Sequence, residues 1–229
     1  SQQEFFNLLV AQLGPKDTTK WRLFRWNPSG FYEEYPDISE NDVTDMAGRA
    51  YWLIAREGAT IPISGGLSSK DADVVYMPLQ PGWNQIGNPF FGEVAWGATK
   101  VGTDFATDPP VSAIASPPSV SPILQTAYFW DGTQYLEVSP SDVLLPGKGY
   151  WVFNGSGTIQ VLKFLKPPVV NGKPSNVTYS APSPDSLLPP PPPAGFSESN
   201  VSTGPTVGTS GGACSSSVFP EDDCDVSGT

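Results

Sequence analysis

The chain has 229 residues, of which 15% are charged, and its 12 basic and 23 acidic residues give a net charge of −11. Such an acidic chain repels nucleic acids and anionic membranes, since both require a basic surface. It contains no histidine, the most common general base near neutral pH and the most common transition-metal ligand. Composition therefore favours a protein without enzymatic activity and without a cofactor.

Cysteines and glycosylation motifs indicate an extracellular or cell-surface location. Cys214 and Cys224 lie in a Ser/Asp-rich context, which predicts a local disulfide, with free thiols as the alternative. Sequons make Asn154, Asn176 and Asn200 candidate glycosylation sites, with chance occurrence as the alternative. Without an initiator Met or a signal-peptide core, the chain is expected to be a mature form. No apolar run approaches the roughly 20 residues that span a bilayer.

The first predicted element is a short amphipathic helix. Residues 1–4 form a capping-box pattern, apolar residues follow at helical spacing as far as Leu13, and Gly14-Pro15 ends the helix. Its apolar face is expected to pack on a sheet, with docking onto a neighbouring subunit as the alternative.

Alternating apolar residues then predict a first β unit. Residues 21–26 place Phe24 and Trp26 on the face opposite Leu23, and further strands are predicted at 31–35 and 48–54.

A second β unit repeats this order. Its strands are predicted at 127–130, 134–138 and 146–153, so that Phe24 and Trp26 match Tyr128 and Trp130, and Tyr51-Trp52 match Tyr150-Trp151. The repeat predicts an all-β fold: a duplicated antiparallel β-sandwich-like body over 1–166, with units at about 16–65 and 74–166 that share one aromatic-rich core.

Two segments connect these units. Pro81-Gly82 predicts a turn before a short strand, on which Trp83 and Ile86 are both expected to face the core. Residues 102–122 are rich in Pro, Ser and Ala without a period, which predicts a long loop that is functional or mobile.

Residues 167–229 have the composition of a long irregular Pro/Gly/Ser-rich tail. Such a segment cannot form its own core, and its proline run favours the extended polyproline II conformation. If ordered, the tail must be held by the chain's own body or by a neighbouring subunit. The predicted assembly contacts are Pro189, Pro190, Pro191, Pro192, Pro193 and Phe196.

Three stretches resemble a recurrent β module of large secreted surface proteins of Bacteroidetes-like bacteria. They are Gly-Trp-Asn-Gln-Ile-Gly-Asn-Pro-Phe at 82–90, Tyr-Phe-Trp-Asp-Gly-Thr-Gln-Tyr at 128–135 and Leu-Pro-Gly-Lys-Gly-Tyr-Trp-Val at 145–152. The resemblance covers about 75–165, with 21–63 as a partial second copy. It implies a β-sandwich-like accessory module of extracellular proteins.

The chain departs from this module in two respects. Gly-Tyr-Trp at 149–151 replaces Gly-Phe-Phe, an exchange among aromatic residues. The first unit also has no Gly-Trp-Asn strand before it, so an open strand edge is expected there, and open edges accept strands from other chains.

Candidate chemical groups are few. Neighbouring Glu33 and Glu34, like Glu137, are expected to be solvated, because adjacent strand residues point to opposite faces. The acidic cluster with Asp222, Asp223 and Asp225 is a candidate Ca²⁺ site, although it lacks the spacing of a calcium loop. The matching positions of the aromatic residues favour core and cross-strand packing over a sugar-stacking platform.

Together these patterns predict a secreted structural subunit that self-assembles into a filament, sheet or surface layer. The tail and the open edge would contact neighbouring copies in a homo-oligomer or polymer. The alternative is a carbohydrate-binding or adhesive surface module, in which the loop 102–122 and some aromatic residues face a glycan.

Overall fold

A computed structural model describes residues 2–38, 48–59, 61, 74–102, 107–114, 123–167 and 177–193. Over these ranges the fold is mostly β, as predicted, with several antiparallel sheets and one short helix, α1 (Gln2–Leu13). No helix in the described part of the chain has the length and apolarity needed to span a bilayer. The strands are β1 (Trp21–Asn27), β2 (Phe31–Glu34), β3 (Trp52–Ala55), β4 (Val74–Leu79), β5 (Gly82–Gly87), β6 (Val94–Ala95), β7 (Lys100–Gly102), β8 (Ala127–Trp130), β9 (Tyr135–Val138), β10 (Val143–Leu144), β11 (Gly149–Asn154) and β12 (Gln160–Leu165).

Three sheets and the helix form successive layers. Sheet 1 has the order β2-β1-β3, sheet 2 the order β5-β11-β8-β9, and sheet 3 the order β4-β12-β7, while β6 and β10 form a separate pair. Helix α1 covers one face of sheet 1, sheet 2 covers the other, and sheet 3 packs on the far face of sheet 2. Sheets 1 and 2 are therefore covered on both faces.

The largest apolar cluster, the main core, lies between sheets 2 and 3. Strand alternation directs Ile86 and Val152 of sheet 2 toward Met77 and Phe164 of sheet 3, and all four side chains are buried. The helix core is smaller and joins Phe6 and Leu9 of α1 to Trp21 and Leu23 of β1 and to Ile38. The expected packing of the helix on a sheet is thus confirmed.

A third cluster, the aromatic interface, joins sheets 1 and 2. Its members are Trp26, Tyr32, Trp83, Leu124, Tyr128, Trp130, Tyr135 and Trp151. The two predicted units therefore share an aromatic-rich cluster, but it is one of three apolar clusters, because two of the three sheets bury both faces. For the same reason Trp83 and Ile86 do not share a face: Trp83 enters the aromatic interface and Ile86 the main core.

The third strand begins later than predicted, at Trp52 and not at residue 48. Gly48 instead approaches β5, where its carbonyl accepts a hydrogen bond of 2.6 Å from the Gly87 amide. Its φ is 82°, a backbone conformation that favours glycine, and a Cβ atom there would also push the Met77 methyl group aside. The close approach ties the first unit to the second before β3 starts.

Part of the loop predicted at 102–122 belongs to the main core. Val111 is fully buried and Ile114 nearly so, on a single-turn 3-10 helix at Val111–Ala113. Nearby, the Asp108 carboxylate forms a buried ion pair with Lys163 of β12. The described part of this segment is thus held by packing and charge, which its lack of a sequence period could not indicate.

Candidate functional site

The aromatic interface consists of edge-to-face ring pairs. Within sheet 1, Trp26 and Tyr32 face each other across the β1–β2 hairpin with ring centroids 5.0 Å apart, and in sheet 2 Trp130 and Tyr135 do so at 4.9 Å. Trp26 and Trp151 join the two sheets at 5.4 Å. Such tilted contacts are the preferred aromatic geometry, so the expected cross-strand packing of these residues is confirmed.

Two polar groups of Trp26 also lie at this interface. Its backbone amide donates a hydrogen bond of 3.0 Å to the Gln85 side chain of β5, which adds a polar tie between the sheets. Its indole N–H is buried and has no hydrogen-bond partner among the described residues. An unpaired buried donor costs about 1–3 kcal/mol, which the surrounding ring contacts must offset.

A segment of the tail crosses this interface. We call Pro189–Pro193 the proline strap. The Tyr135 hydroxyl of sheet 2 donates a hydrogen bond of 2.5 Å to the Pro190 carbonyl, and the Tyr32 hydroxyl of sheet 1 donates one of 2.9 Å to the Pro191 carbonyl. Pro189 is buried. One tyrosine from each sheet therefore holds the strap.

The structure places Pro189 to Pro193, the residues predicted for assembly, on the chain's own body. The two tyrosine hydroxyls find acceptors there, because proline carbonyls in an extended run have no internal hydrogen-bond partners. The predicted contact of this run with a neighbouring subunit stays a prediction.

The tail is also anchored before the strap. Tyr179 is buried in the main core. Its hydroxyl donates a hydrogen bond of 2.9 Å to the Val143 carbonyl and lies 3.0 Å from the Tyr150 hydroxyl. The Glu137 amide on the outer edge of β9 donates 2.7 Å to the Ser180 carbonyl. Residues 177–193 therefore contact the folded body. The sequence-based boundary at 167 assigns them to the tail and does not indicate these contacts.

Glu137 is a tail contact and not a solvated carboxylate. Its Oε1 accepts a hydrogen bond from the Ser186 hydroxyl and a longer one, 3.4 Å, from the Ser183 amide. Together with the Ser180 contact, one residue of β9 thus fixes three points of the tail.

Burial keeps the strap's hydrogen-bond donors protonated. It raises the pKa of Tyr32 to about 12 and the pKa of Tyr135 further. Both hydroxyls therefore stay protonated, and remain donors to the strap, even above the pH of about 10 at which a free tyrosine ionises.

The carboxylates of β2 are paired with arginines. Glu33 accepts a hydrogen bond of 2.7 Å from Arg25, and Glu34 one of 2.8 Å from Arg22. The hydrogen bond from Arg22 lowers the pKa of Glu34. As adjacent strand residues they lie on opposite faces, so the structure does not bring them together as an acid–base pair.

Asn154 is unsuitable as a glycosylation site, contrary to its sequon. The residue is 1% exposed, and its amide nitrogen donates to the Leu79 and Thr158 carbonyls at 3.1 and 2.7 Å. Its amide oxygen accepts from the amide and the hydroxyl of Ser156 at 3.0 and 2.8 Å. A glycan on this nitrogen is incompatible with the folded chain.

The remaining predicted sites lie outside the described residues. They are Cys214 and Cys224, Asn176 and Asn200, Asp222, Asp223 and Asp225, and Phe196. Among the residues that are described, no three His, Cys, Asp or Glu side chains group together as metal ligands.

The outer edge of β3 has no described strand beside it. Strand β3 pairs only with β1, whereas β11, at the corresponding place in sheet 2, pairs with β8 on one side and with β5 on the other. Next to β3, the Arg56 amide points toward β1 and donates a hydrogen bond of 2.9 Å to the Lys20 carbonyl. Because backbone groups alternate along a strand, the N–H and C=O of Leu53 and Ala55 point away from sheet 1.

Comparisons with family models, curated proteins and solved structures find no match to the chain. The resemblance to a bacterial surface module therefore stays a prediction.

Sequence reasoning missed the tyrosines that hold the tail: Tyr32, Tyr135 and Tyr179. The sequence does carry a signal for this contact: a proline run, and aromatic residues that alternate along several strands. Prolines pack well on aromatic rings.

Proposed function

We propose that the chain is an extracellular, non-enzymatic structural subunit that self-associates through the outer edge of β3. On this proposal its body comprises two related β units, and the tail contributes to contacts between copies. The outer edge of β3, beside which the described residues place no strand, carries the proposal, and the repeated geometry supports it.

The relation between the units rests on matched cross-strand pairs. Phe24 pairs with Trp52 in sheet 1, and their sequence matches Tyr128 and Trp151 pair with each other in sheet 2. The hairpins also agree, since Trp26 opposes Tyr32 as Trp130 opposes Tyr135. The corresponding strand orders β2-β1-β3 and β9-β8-β11 support the proposed relation between the units.

The proposed relation points to one place in sheet 1 that no described strand fills. In sheet 2 the Gly-Trp-Asn strand β5 pairs with β11 over its whole length, from Gly82 opposite Asn154 to Gly87 opposite Gly149. No described strand occupies that place beside β3. A row of outward N–H and C=O groups is a template for a strand from another chain.

The direct test is a proline at the edge. Replacing Ala55 with proline removes an outward N–H and leaves the hydrogen bonds to β1, which edge strands tolerate. Ala59→Pro, the same substitution beyond the strand, is the matched control. We expect sedimentation to show concentration-dependent association of the wild type and of Ala59→Pro, and its loss in Ala55→Pro. A wild type that stays monomeric, or an Ala55→Pro variant that associates normally, contradicts the proposal.

Removal of residues 167–229 is a poor test of this proposal. It also removes Tyr179 from the main core, so lost assembly would not be distinguishable from lost folding. Electron microscopy of the full chain remains informative, since filaments or sheets are the expected product.

A glycan-binding module is the alternative function, and it needs aromatic faces open to solvent. All seven tryptophans are buried or half-buried. Binding on a glycan array, accompanied by a change in tryptophan fluorescence, would favour this alternative over the structural role.

A further inference from the structure

We propose that Tyr32 and Tyr135 form a polyproline-binding site, which the chain fills with its own proline strap and which accepts the same segment from a second copy. The site deepens the proposed assembly, because it names the surface that receives the tail.

The chemistry of the strap matches the chemistry of the site. Proline has no backbone N–H, and a proline run leaves its carbonyls without internal hydrogen bonds. Proteins that recognise such runs offer aromatic surfaces for the rings and donors for the carbonyls. Here two phenol hydroxyls donate to successive carbonyls, Pro190 and Pro191, and Pro189 is buried.

The donors are held in position by the fold. The Tyr32 ring packs against Trp26 and, at 6.4 Å, against Trp151. The Tyr135 ring packs against Trp130. Because these rings belong to the aromatic interface, the site exists before a proline segment reaches it, and little ordering is needed on binding.

When the strap lies on its own chain, part of the segment stays uncovered. Leu187 and Leu188, immediately before the strap, are 47% and 48% exposed. Exposed apolar side chains next to a bound segment are a surface for a further contact. Every copy carries the same segment and the same two tyrosines, so the same hydrogen bonds can form between copies. We therefore choose a second copy as the partner, whose surface would lie beside the two leucines.

The connection to the body decides between the two arrangements. A short linker joins the strap to the anchor at Tyr179 and Ser180. A strap tethered in this way has a high effective concentration at its own site and competes with straps from other copies. We therefore expect the strap to bind its own chain in dilute solution. At high protein concentration we expect the strap of one copy to bind the tyrosines of another.

One experiment opens the site and offers a peptide. The strap variant is the full chain with Pro190→Gly and Pro191→Gly, which loosens the extended conformation. The site variant is the full chain with Tyr32→Phe and Tyr135→Phe, which keeps both rings. The probe is a fluorescent peptide with the sequence of residues 186–193, and near-ultraviolet circular dichroism checks that both variants are folded.

We expect fluorescence anisotropy to show that the peptide binds the strap variant and binds the wild type more weakly, because the wild type's own strap competes. A third protein carries all four substitutions. It should bind the peptide at least about tenfold more weakly than the strap variant, since each neutral hydrogen bond contributes roughly fivefold. A folded strap variant that does not bind, or equal binding by the third protein, would overturn the site.

A second experiment tests exchange between copies. The strap variant has an open site, and the site variant has an intact strap without its donors. We expect analytical ultracentrifugation to show a dimer in the mixture beyond what either variant forms alone. No additional dimer would overturn the exchange. Association through β3 would occur in each variant alone, so the two proposals fail separately.

Discussion

At the residue scale, Asn154 shows how a buried amide can replace backbone pairing at a turn. It closes the connection from β11 to β12 by binding Thr158 and Ser156, and it reaches the Leu79 carbonyl at the end of β4. A single side chain thus ties a strand of sheet 2 to one of sheet 3.

Asn154→Ala should lower the free energy of unfolding by about 1–3 kcal/mol, because it leaves buried backbone groups without partners. Asn7→Ala, an exposed position on α1, should change it by less than about 0.5 kcal/mol. Urea denaturation measures both. Equal effects of the two substitutions would contradict the structural role of Asn154.

A second residue-scale feature is the ion pair between Asp108 and Lys163. Their side chains are 9% and 3% exposed. Removing one charge of a buried pair costs more than replacing both with apolar groups, because the remaining charge is poorly solvated.

We therefore expect Asp108→Asn to destabilise the protein by about 3–5 kcal/mol. The double variant Asp108→Leu with Lys163→Met should recover most of that loss. Thermal and urea unfolding of the single and double variants test this, and a double variant no more stable than Asp108→Asn would contradict it.

Residue patterns predicted the strands but not the environment of their faces. Alternation correctly placed Leu23 opposite Phe24 and Trp26. Alternation puts Trp83 and Ile86, three residues apart, on opposite faces of β5, and both can face a core only because β5 is covered on both sides. The sequon at Asn154 was misleading because a three-residue motif carries no information on burial.

At the element scale, helix α1 is the cover of sheet 1. Leu9 is 1% exposed, whereas Leu8, one position before it, is half-buried. Without the helix, Trp21 and Leu23 would face solvent.

Leu9→Ala should cost about 2–5 kcal/mol, because it leaves a cavity in the helix core. Leu8→Ala, the same substitution, should cost clearly less. Urea denaturation of both variants measures the difference. If Leu8→Ala is the more costly change, the orientation of α1 on sheet 1 is wrong.

The tail is the element for which composition was least informative. Proline-rich segments lack apolar side chains for a core of their own, and this correctly describes the strap taken alone. Its order comes from Tyr32, Tyr135 and Glu137, residues distant in sequence. Contacts of this kind form only in the complete fold, so no local pattern in the sequence of the tail predicts them.

At the scale of the whole molecule, stability depends on keeping tyrosines neutral. Burial raises the pKa of five of them, of which Tyr32 reaches about 12. In the unfolded chain tyrosines ionise near pH 10. The unfolded state therefore releases protons first as the pH rises.

Their contribution to stability is complete below about pH 10 and is lost as the pH rises through the folded-state values. We expect the urea midpoint to fall between about pH 10 and pH 12. Tyr179→Phe should make this fall shallower, since it removes one of the shifted groups. A midpoint independent of pH in that range would contradict the raised pKa values.

The strap also determines how the molecule would respond to mechanical force. A pull on residue 193 loads the contacts with Tyr32 and Tyr135 first, then those with Glu137, and the buried Tyr179 ring last. The contacts with Tyr32, Tyr135 and Glu137 would rupture one after another at low force, while the buried Tyr179 ring and the rest of the main core stay in place. A subunit joined to its neighbour through this segment would therefore extend before it unfolds.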